Sequence, residues 1–267
     1  MSHFIPDVEM RAEYSKLALD LPALAADFGY PLTLTEALDA YILALAMDHM
    51  DDAIDSQTEL SARQQTGRLI VDYLRHGQAD GFSQRKPEFR STLEAIGRVA
   101  RRRRASEAFA SSVEALMEMG ERLRLEEDPS GYINRALEEA GHTIRLLLVL
   151  LPELPLALKE FLTRTGEIGN VGDKLVDLAE DRQEGRTLVC PSLRLVVNTL
   201  VKLSPSAWRA FRLHPNPLTL LAYAGSYLKF GFSYQSGRQP RLVRAVDEWT
   251  RRMGSWLPPE VRTASPV

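Results

Sequence analysis

The sequence contains a single cysteine, Cys190, among its 267 residues. One thiol excludes an internal disulfide and any metal cluster held by several cysteines. The chain also lacks a basic start followed by an apolar stretch and a small-residue cleavage site, so no secretory signal is predicted. Together these absences favour a protein of the reducing cytoplasm.

Long apolar runs are missing as well. The most apolar segment, residues 144–158, is interrupted by Pro152, Glu153 and Pro155. It falls short of the roughly 20 apolar residues that cross a bilayer. A buried core helix is therefore predicted for this segment.

The chain carries little net charge, −3 with a pI near 6.0, so its surface as a whole does not attract nucleic acid. Four consecutive arginines at 101–104 follow Arg98. They spread around a helix and have no aromatic residues between them. We expect a solvated surface there, or weak contact with anionic lipid headgroups at the inner face of a membrane, and no nucleic-acid binding.

Several common catalytic motifs are absent. The chain has no Gly-x-x-x-x-Gly-Lys-Ser/Thr loop, no Gly-x-Ser-x-Gly elbow and no dinucleotide-binding fingerprint, which removes support for the usual nucleotide-binding and serine-hydrolase functions. His49 has no second histidine at ligand spacing, so a transition-metal site is not predicted there.

The regular pattern of the chain is helical. Alternating β-branched runs are nearly absent, whereas Ala, Leu, Glu and Arg recur at intervals of three and four. We predict one all-α domain over residues 1–267, a helical bundle with a loose tail from about 257. Prolines and glycines set the boundaries of nine predicted helices: 7–28, 33–56, 58–78, 87–122, 129–151, 154–184, 190–204, 216–231 and 238–255.

Two acidic clusters follow apolar helical stretches. The first holds Asp48, Asp51, Asp52 and Asp55, spaced by three and four, so that its carboxylates crowd one helical face. Such like charges repel, and hard oxygen ligands on one face suit Mg²⁺. The alternative for this cluster taken alone is a solvated acidic helix end.

The second cluster places Asp173, Asp177 and Asp181 at intervals of four, in one stripe along a predicted central helix. An exposed helix normally interleaves such acids with lysine or arginine four residues on, and this stripe does not. Two such clusters are better explained as opposing walls of one metal and diphosphate site than as two independent solvated ends.

At these positions the chain resembles the squalene/phytoene synthase branch of the class I isoprenoid synthases. Residues 51–55 (Asp-Asp-Ala-Ile-Asp) are similar to the family's first aspartate motif, DDIAD or DELVD. Residues 177–181 (Asp-Leu-Ala-Glu-Asp), with Gly-Arg at 185–186, are similar to its second motif, DxxED followed by GR. Residues 132–145 resemble the tyrosine-led helix with an Ala-Gly pair that lies between the two. Order and spacing agree over about residues 35–190.

The chain departs from the family pattern at four places. The family arginine three positions before the first motif is replaced by Asp48, and the arginine directly before the second motif by Val176. Asp173 and Asn170 stand where the family has asparagine and glutamine. Loss of two cations weakens the case for condensing two prenyl diphosphates. The aspartate stripe also resembles the Asn/Ser/Glu metal triad of class I terpene cyclases, so a one-substrate cyclase stays open.

The resemblance implies an enzyme that ionises an allylic isoprenoid diphosphate with Mg²⁺, two or three ions bound together with the substrate, and releases pyrophosphate. The expected metal ligands are Asp51, Asp52, Asp55, Asp173, Asp177 and Asp181. Tyr132 is expected at the reacting centre with the aspartates of both motifs. The expected diphosphate-binding residues are Arg186, which matches the family's GR, and Arg182, Lys174, Arg145 and Asn170.

A central cavity free of water is expected beside these residues, because water would quench a carbocation. Its candidate lining comprises the leucine-rich residues 144–151 and the aromatics Tyr223, Tyr227, Phe230, Phe232 and Tyr234. For these aromatics, plain core packing is the favoured alternative. For the whole chain, the alternative to an enzyme is a non-catalytic helical protein that binds isoprenoids or serves in assembly. The oligomeric state is left open, a homodimer included.

Overall fold

The computed structural model of the chain describes residues 10, 12–77, 87–216 and 220. These residues form helices joined by short turns, with no strand among them, so the predicted all-α class is confirmed. In chain order the helices are α1 (Ala12–Asp27), α2 (Leu34–Asp55), α3 (Leu60–His76), α4 (Pro87–Arg102), α5 (Ser106–Arg124), α6 (Pro129–Leu150), α7 (Leu156–Gln183) and α8 (Leu193–Leu213).

Local sequence signals explain where the functional helices begin. Thr33 starts α2 with a capping box, in which its hydroxyl accepts from the Glu36 N–H while the Glu36 carboxylate accepts from the Thr33 N–H. Asp128 caps α6 by accepting a hydrogen bond from the N–H of Gly131, and Pro129 occupies the first turn, where no intrahelical donor is needed. These caps fix the starts of two helices that carry predicted site residues.

The predicted helix 87–122 is wrong as a single element. The chain breaks between α4 and α5 at residues 103–105, and Arg104 has a φ of 56° in the left-handed region. Two of the four arginines also have a structural role that the sequence did not indicate. Arg102 and Arg103 both bind the carboxylate of Asp39, which is fully buried on α2, so the break ties α4 to α2.

The predicted helix 190–204 continues further, to Leu213, although Pro205 lies inside it. Proline has no N–H for the carbonyl four residues back, which here belongs to Val201. The Ser204 hydroxyl donates to that carbonyl at 2.9 Å. A side chain therefore supplies the donor that Pro205 lacks, and α8 runs on without an orphaned acceptor at Val201.

The helices pack mainly with their neighbours in the chain, from α5 through α6 and α7 to α8, while α2 packs on α1 and α4. One buried apolar cluster has members on every helix from α1 to α7. A second, around Tyr132, Leu178 and Leu195, joins α6, α7 and α8. None of the described helices is both long and apolar enough to cross a bilayer. The predicted helix 238–255, the five candidate cavity aromatics and the tail lie outside the described residues, as does the predicted helix 216–231 except for residues 216 and 220.

Candidate active site

The two acidic clusters meet through one guanidinium group. Nη1 of Arg186 lies 3.9 Å from Oδ2 of Asp55 on α2 and 3.8 Å from Oδ1 of Asp181 on α7. The two carboxylate oxygens are therefore no farther apart than the sum of these distances. The C-terminal end of α2 faces the C-terminal end of α7, with one aspartate from each predicted motif on either side of Arg186.

Gly185 explains how Arg186 reaches this position. It follows the end of α7 with a φ of 72°, a left-handed conformation that favours glycine. The turn returns the chain on itself, and the N–H of Arg186 donates to the carbonyl of Asp181 at 2.7 Å. The Gly-Arg pair of the predicted motif thus forms the turn after α7 that directs the Arg186 cation back over the carboxylate of Asp181, five residues before it.

A second cation at this site, Arg124, was not predicted from the sequence. It lies in the last turn of α5 and binds Asp55 directly through Nη2. Glu121, one turn earlier, forms a two-pronged ion pair with Arg63 of α3 and lies 3.9 Å from Arg124. An arginine near a helix C-terminus is ordinary, and its pairing with Asp55, 69 residues away in sequence, left no local signal.

Lys174 points into the site and not to solvent. Its Nζ lies 2.9 Å from Oε2 of Glu139 on α6. Burial alone would lower the pKa of Lys174, but the charge of Glu139 and its hydrogen bond, with smaller contributions from Tyr132 and Asp51, outweigh burial and raise that pKa. Lys174 is therefore a fixed positive charge between α6 and α7.

Glu139, like Arg124, was not predicted. It follows Tyr132 by two helical turns, so both side chains lie on the same face of α6. That spacing is the one sequence signal that could have linked Glu139 to the site.

Tyr132 is buried beside this pair. Burial is the main cause that raises the pKa of Tyr132 to about 12, and the negative charges of Asp181 and Glu139 act in the same direction. Lys174 and a hydrogen bond with the Thr187 side chain oppose the rise. The phenol keeps its proton at neutral pH and remains able to donate a hydrogen bond.

Asp55 and Asp181 are incompletely neutralised despite the nearby cations. Burial raises the pKa of both carboxyls, and the neighbouring Asp51 raises that of Asp55 further. Arg124 and Arg186 lower both pKa values without cancelling the rise. The arrangement therefore still favours additional positive charge near these two aspartates.

The other predicted metal ligands differ in exposure. Asp51 and Asp177 are half-buried, and Asp51 is close enough to influence the pKa values of Asp55 and Lys174. Asp52 and Asp173 are exposed. The inward part of each cluster is thus smaller than the sequence predicted.

Two of the remaining predicted substrate-binding residues lie apart from the carboxylates. Arg182 is exposed and donates to the carbonyl of Thr187 at 3.2 Å. Arg145 is exposed on α6, 13 residues beyond Tyr132, which corresponds to about 20 Å along the helix axis. A diphosphate held beside Tyr132 is out of reach of an arginine at that distance.

Asn170 lies one turn before Lys174 on the same face of α7. Its Oδ1 is buried and accepts no hydrogen bond within the described part of the chain. A buried amide oxygen without a donor is unfavourable, so this acceptor is suited to a donor or cation that enters the site.

The donor set at the centre consists of carboxylate oxygens, which is what Mg²⁺ prefers. Asp55 and Asp181, with Asp51 and Asp177 beside them, fit a hard cation by chemistry and by their residual need for positive charge. Among the residues that the structure describes, no three His, Cys, Asp or Glu side chains form a ready-made metal site. In the present conformation arginine side chains lie against these carboxylates.

The cluster as a whole combines carboxylates, three cations and a protonated phenol at one end of the bundle. This composition can hold a polyanion through its cations and a divalent metal through its carboxylates. Comparison of the chain with protein-family models, with curated proteins and with solved structures finds no match.

Proposed function

We propose that this chain binds an isoprenoid diphosphate between the ends of α2 and α7 and ionises it with Mg²⁺, releasing pyrophosphate. The observation that carries the proposal is the bridge in which Arg186 contacts both Asp55 and Asp181. Residues of the two motifs that resemble the squalene/phytoene synthases, far apart in sequence, are thereby within reach of one ligand. A scaffold has little use for acidic side chains whose charge is only partly offset.

Each group has a role that follows from its charge and position. Asp55 and Asp181, assisted by Asp51 and Asp177, would hold the metal, which when bound stabilises negative charge on the leaving diphosphate. Lys174 and Arg186 bind diphosphate oxygens.

Arg124, which contacts Asp55, would be a further cation available to the diphosphate. The Tyr132 phenol, protonated at neutral pH, donates a hydrogen bond toward the departing oxygen.

A one-substrate terpene cyclase is the second candidate, and the distribution of cations favours it. At the two positions where the family has arginine, Asp48 is buried and Val176 is exposed. Among the described residues, the cations at the site are Lys174, Arg124 and Arg186, and all three act on the pKa of Asp181. One group of cations suits one diphosphate, whereas condensation must handle two.

The test is pyrophosphate release from geranyl, farnesyl and geranylgeranyl diphosphate with and without Mg²⁺. We expect Asp55→Asn and Asp181→Asn each to lower release at least about 100-fold, as is typical when a group that stabilises transition-state charge is lost. Asp72→Asn, at an exposed aspartate of α3, is the matched control and should keep full activity.

The products separate the candidates. Squalene or phytoene indicates condensation, and a cyclised hydrocarbon indicates a cyclase. Metal-independent release, or full activity in Asp55→Asn, would contradict the proposed site. Absence of turnover with all three substrates would favour the non-catalytic alternative.

A further inference from the structure

The last described helix, α8, presents two different apolar faces. Leu195, Thr199, Leu203, Ser206 and Ala210 are buried and lie on the side of the helix that packs against α7 and α6. The opposite side is also apolar but exposed, with side chains that are 62% accessible at Leu200 and Trp208 and 65% at Val201. We call this exposed side the α8 stripe; its members are Leu193, Val196, Val197, Leu200, Val201, Trp208 and Phe211.

The α8 stripe is continuous along the helix. At 100° per residue its members fall within less than half of the circumference over the full 21 residues of α8. Near the C-terminal end, Trp208 and Phe211 stack with ring centroids 6.0 Å apart. Soluble monomers rarely expose a contiguous apolar patch of such extent unless it binds something.

Charge indicates what covers the stripe. α8 contains no Asp or Glu, and its four cations, Arg194, Lys202, Arg209 and Arg212, all lie along one edge of the stripe. Lys202 binds Asn134 and Ser130, and Arg209 binds Glu160, so both are anchored to the protein. Arg194 and Arg212 are exposed at the two ends of the helix.

The charge of the whole chain is divided in the same way. Residues 193–267 contain eleven Lys and Arg against three Asp and Glu, whereas residues 1–192 contain 22 against 33. The small net charge of the protein thus conceals a strongly basic C-terminal part. Such an asymmetry is typical of chains that bind a polyanionic surface.

We propose that α8 docks on an anionic lipid bilayer, lying flat with its stripe at the boundary between headgroups and acyl chains. An exposed apolar face bordered by cations is the pattern of interfacial helices, and a half-exposed tryptophan suits the level of the headgroups. Arg194 and Arg212 contact lipid phosphates, each contributing attraction to the anionic surface. A protein partner would have to be both apolar and strongly acidic to match the same face.

The test is co-sedimentation of the full chain with vesicles of phosphatidylcholine alone and of phosphatidylcholine mixed with phosphatidylglycerol. We expect binding to the mixed vesicles that weakens as salt is raised. Leu200→Glu with Trp208→Glu should lower the partition constant at least about tenfold, because two apolar side chains leave the bilayer. Arg194→Gln and Arg212→Gln should each lower it about fivefold, and only on the anionic vesicles.

Leu156→Glu is the matched control, since Leu156 is 82% exposed on α7 and lies outside the stripe; it should bind vesicles like the unmodified protein. Failure of the unmodified protein to bind anionic vesicles would overturn the proposal. So would a drop of several degrees in the melting temperature of the double variant, which would mean that another part of the chain covers the stripe. A dimer in solution that the double variant converts to monomer would assign the stripe to a second copy instead.

Discussion

The Asp55 carboxylate is held in an environment that opposes its own ionisation. Burial and the neighbouring Asp51 raise the pKa of Asp55 above 3.8 even though Arg124 and Arg186 lie beside it. A carboxyl whose pKa is raised on folding stabilises the protein fully below the unfolded pKa and loses that contribution as pH rises through the folded pKa. At neutral pH, ionised Asp55 therefore lowers the free energy of unfolding while it provides a negative charge at the site.

Replacing Asp55 by asparagine should make the protein more stable at neutral pH. The gain in unfolding free energy over the unmodified protein should be near zero below the ordinary pKa of 3.8, grow as pH rises through the raised pKa of Asp55 and stay constant above it, because only the ionised carboxylate is disfavoured. Each tenfold change in the acidity constant corresponds to about 1.4 kcal/mol. Denaturant unfolding across this pH range measures the difference, with Asp72→Asn as control. A gain that is largest at low pH would contradict the reasoning.

The sequence predicted those residues of the candidate site whose position depends on their spacing within one helix. Asp55 and Asp181 both lie near Arg186, and each belongs to a periodic cluster on one helix, while the metal and diphosphate site itself stays a prediction. Arg124 could not be predicted, since its partner Asp55 lies on another helix, 69 residues away in sequence. Lys174 was expected at the diphosphate or in solvent, and burial against Glu139 on another helix decided its place.

The ends of helices determine which side chains of this protein meet. Gly185 ends α7 with a positive φ, and a Cβ added there would meet no atom within 4 Å. A substitution at Gly185 is therefore opposed by backbone conformation alone and not by crowding.

Gly185→Ala should lower the unfolding free energy by about 1 kcal/mol, because a left-handed conformation disfavours a chiral residue with a Cβ. Gly185→Asn should cost less, since asparagine tolerates this region. We also expect Gly185→Ala to reduce pyrophosphate release more than Gly185→Asn, through displacement of Arg186. Equal stability and activity of the two variants would show that Arg186 does not depend on this turn.

The break between α4 and α5 allows the reverse substitution, in which glycine replaces a residue with a positive φ. Arg104 is a non-glycine residue with φ of 56°, so Arg104→Gly should stabilise the protein by about 0.5 kcal/mol after the entropy of glycine in the unfolded chain is subtracted. Arg101→Gly, in the last turn of α4, should instead cost up to about 1 kcal/mol. Thermal or denaturant unfolding of both variants measures the contrast, and destabilisation by Arg104→Gly would contradict it.

Helical periodicity alone did not reveal that break. Residues 87–122 carry a pattern compatible with one long helix, and no proline or glycine separates Arg102 from Ser106. The pairing of Arg102 and Arg103 with the buried Asp39 is a tertiary contact. For α8 the predicted helix was too short. Pro205 predicts a helix end, but the Ser204 hydroxyl supplies the missing donor and α8 continues to Leu213.

The packing of α6 against α7 sets the relative positions of four site residues, since Tyr132 and Glu139 lie on one helix and Lys174 and Asp181 on the other. The two helices approach closely at Gly166, where an added Cβ would lie 2.5 Å from Cγ1 of Ile144. Glycine is required at this crossing because no side chain fits between the helices.

Gly166→Ala should destabilise the protein by about 1–3 kcal/mol through overpacking. Gly169→Ala, on the same helix with no atom within 4 Å of the new Cβ, should stabilise it by about 1 kcal/mol, as expected for alanine in place of glycine in a helix interior. Denaturant unfolding of the pair is the measurement, and equal effects at the two positions would contradict the close crossing.

Composition and periodicity were sufficient to predict the all-α class, and the isoprenoid-synthase arrangement with its central cavity stays a prediction. Net charge was a poor guide to surfaces, because the value of −3 averages an acidic N-terminal part and a basic C-terminal part. Exposure of the α8 stripe depends on which face of that helix packs inward, and helix patterning with apolar residues on both sides left that choice open.

Arg186 connects α2 and α7 because Gly185, which has no Cβ, adopts a positive φ directly before it. A residue that strongly disfavours a positive φ, such as a β-branched one, would at position 185 oppose the turn toward the carboxylates while leaving all six candidate aspartates in the sequence. A homologous chain could therefore keep every aspartate of both motifs although its residue 186 no longer lies near Asp55 and Asp181. The residue at position 185 would then indicate better than the aspartates whether the two clusters still share one cation.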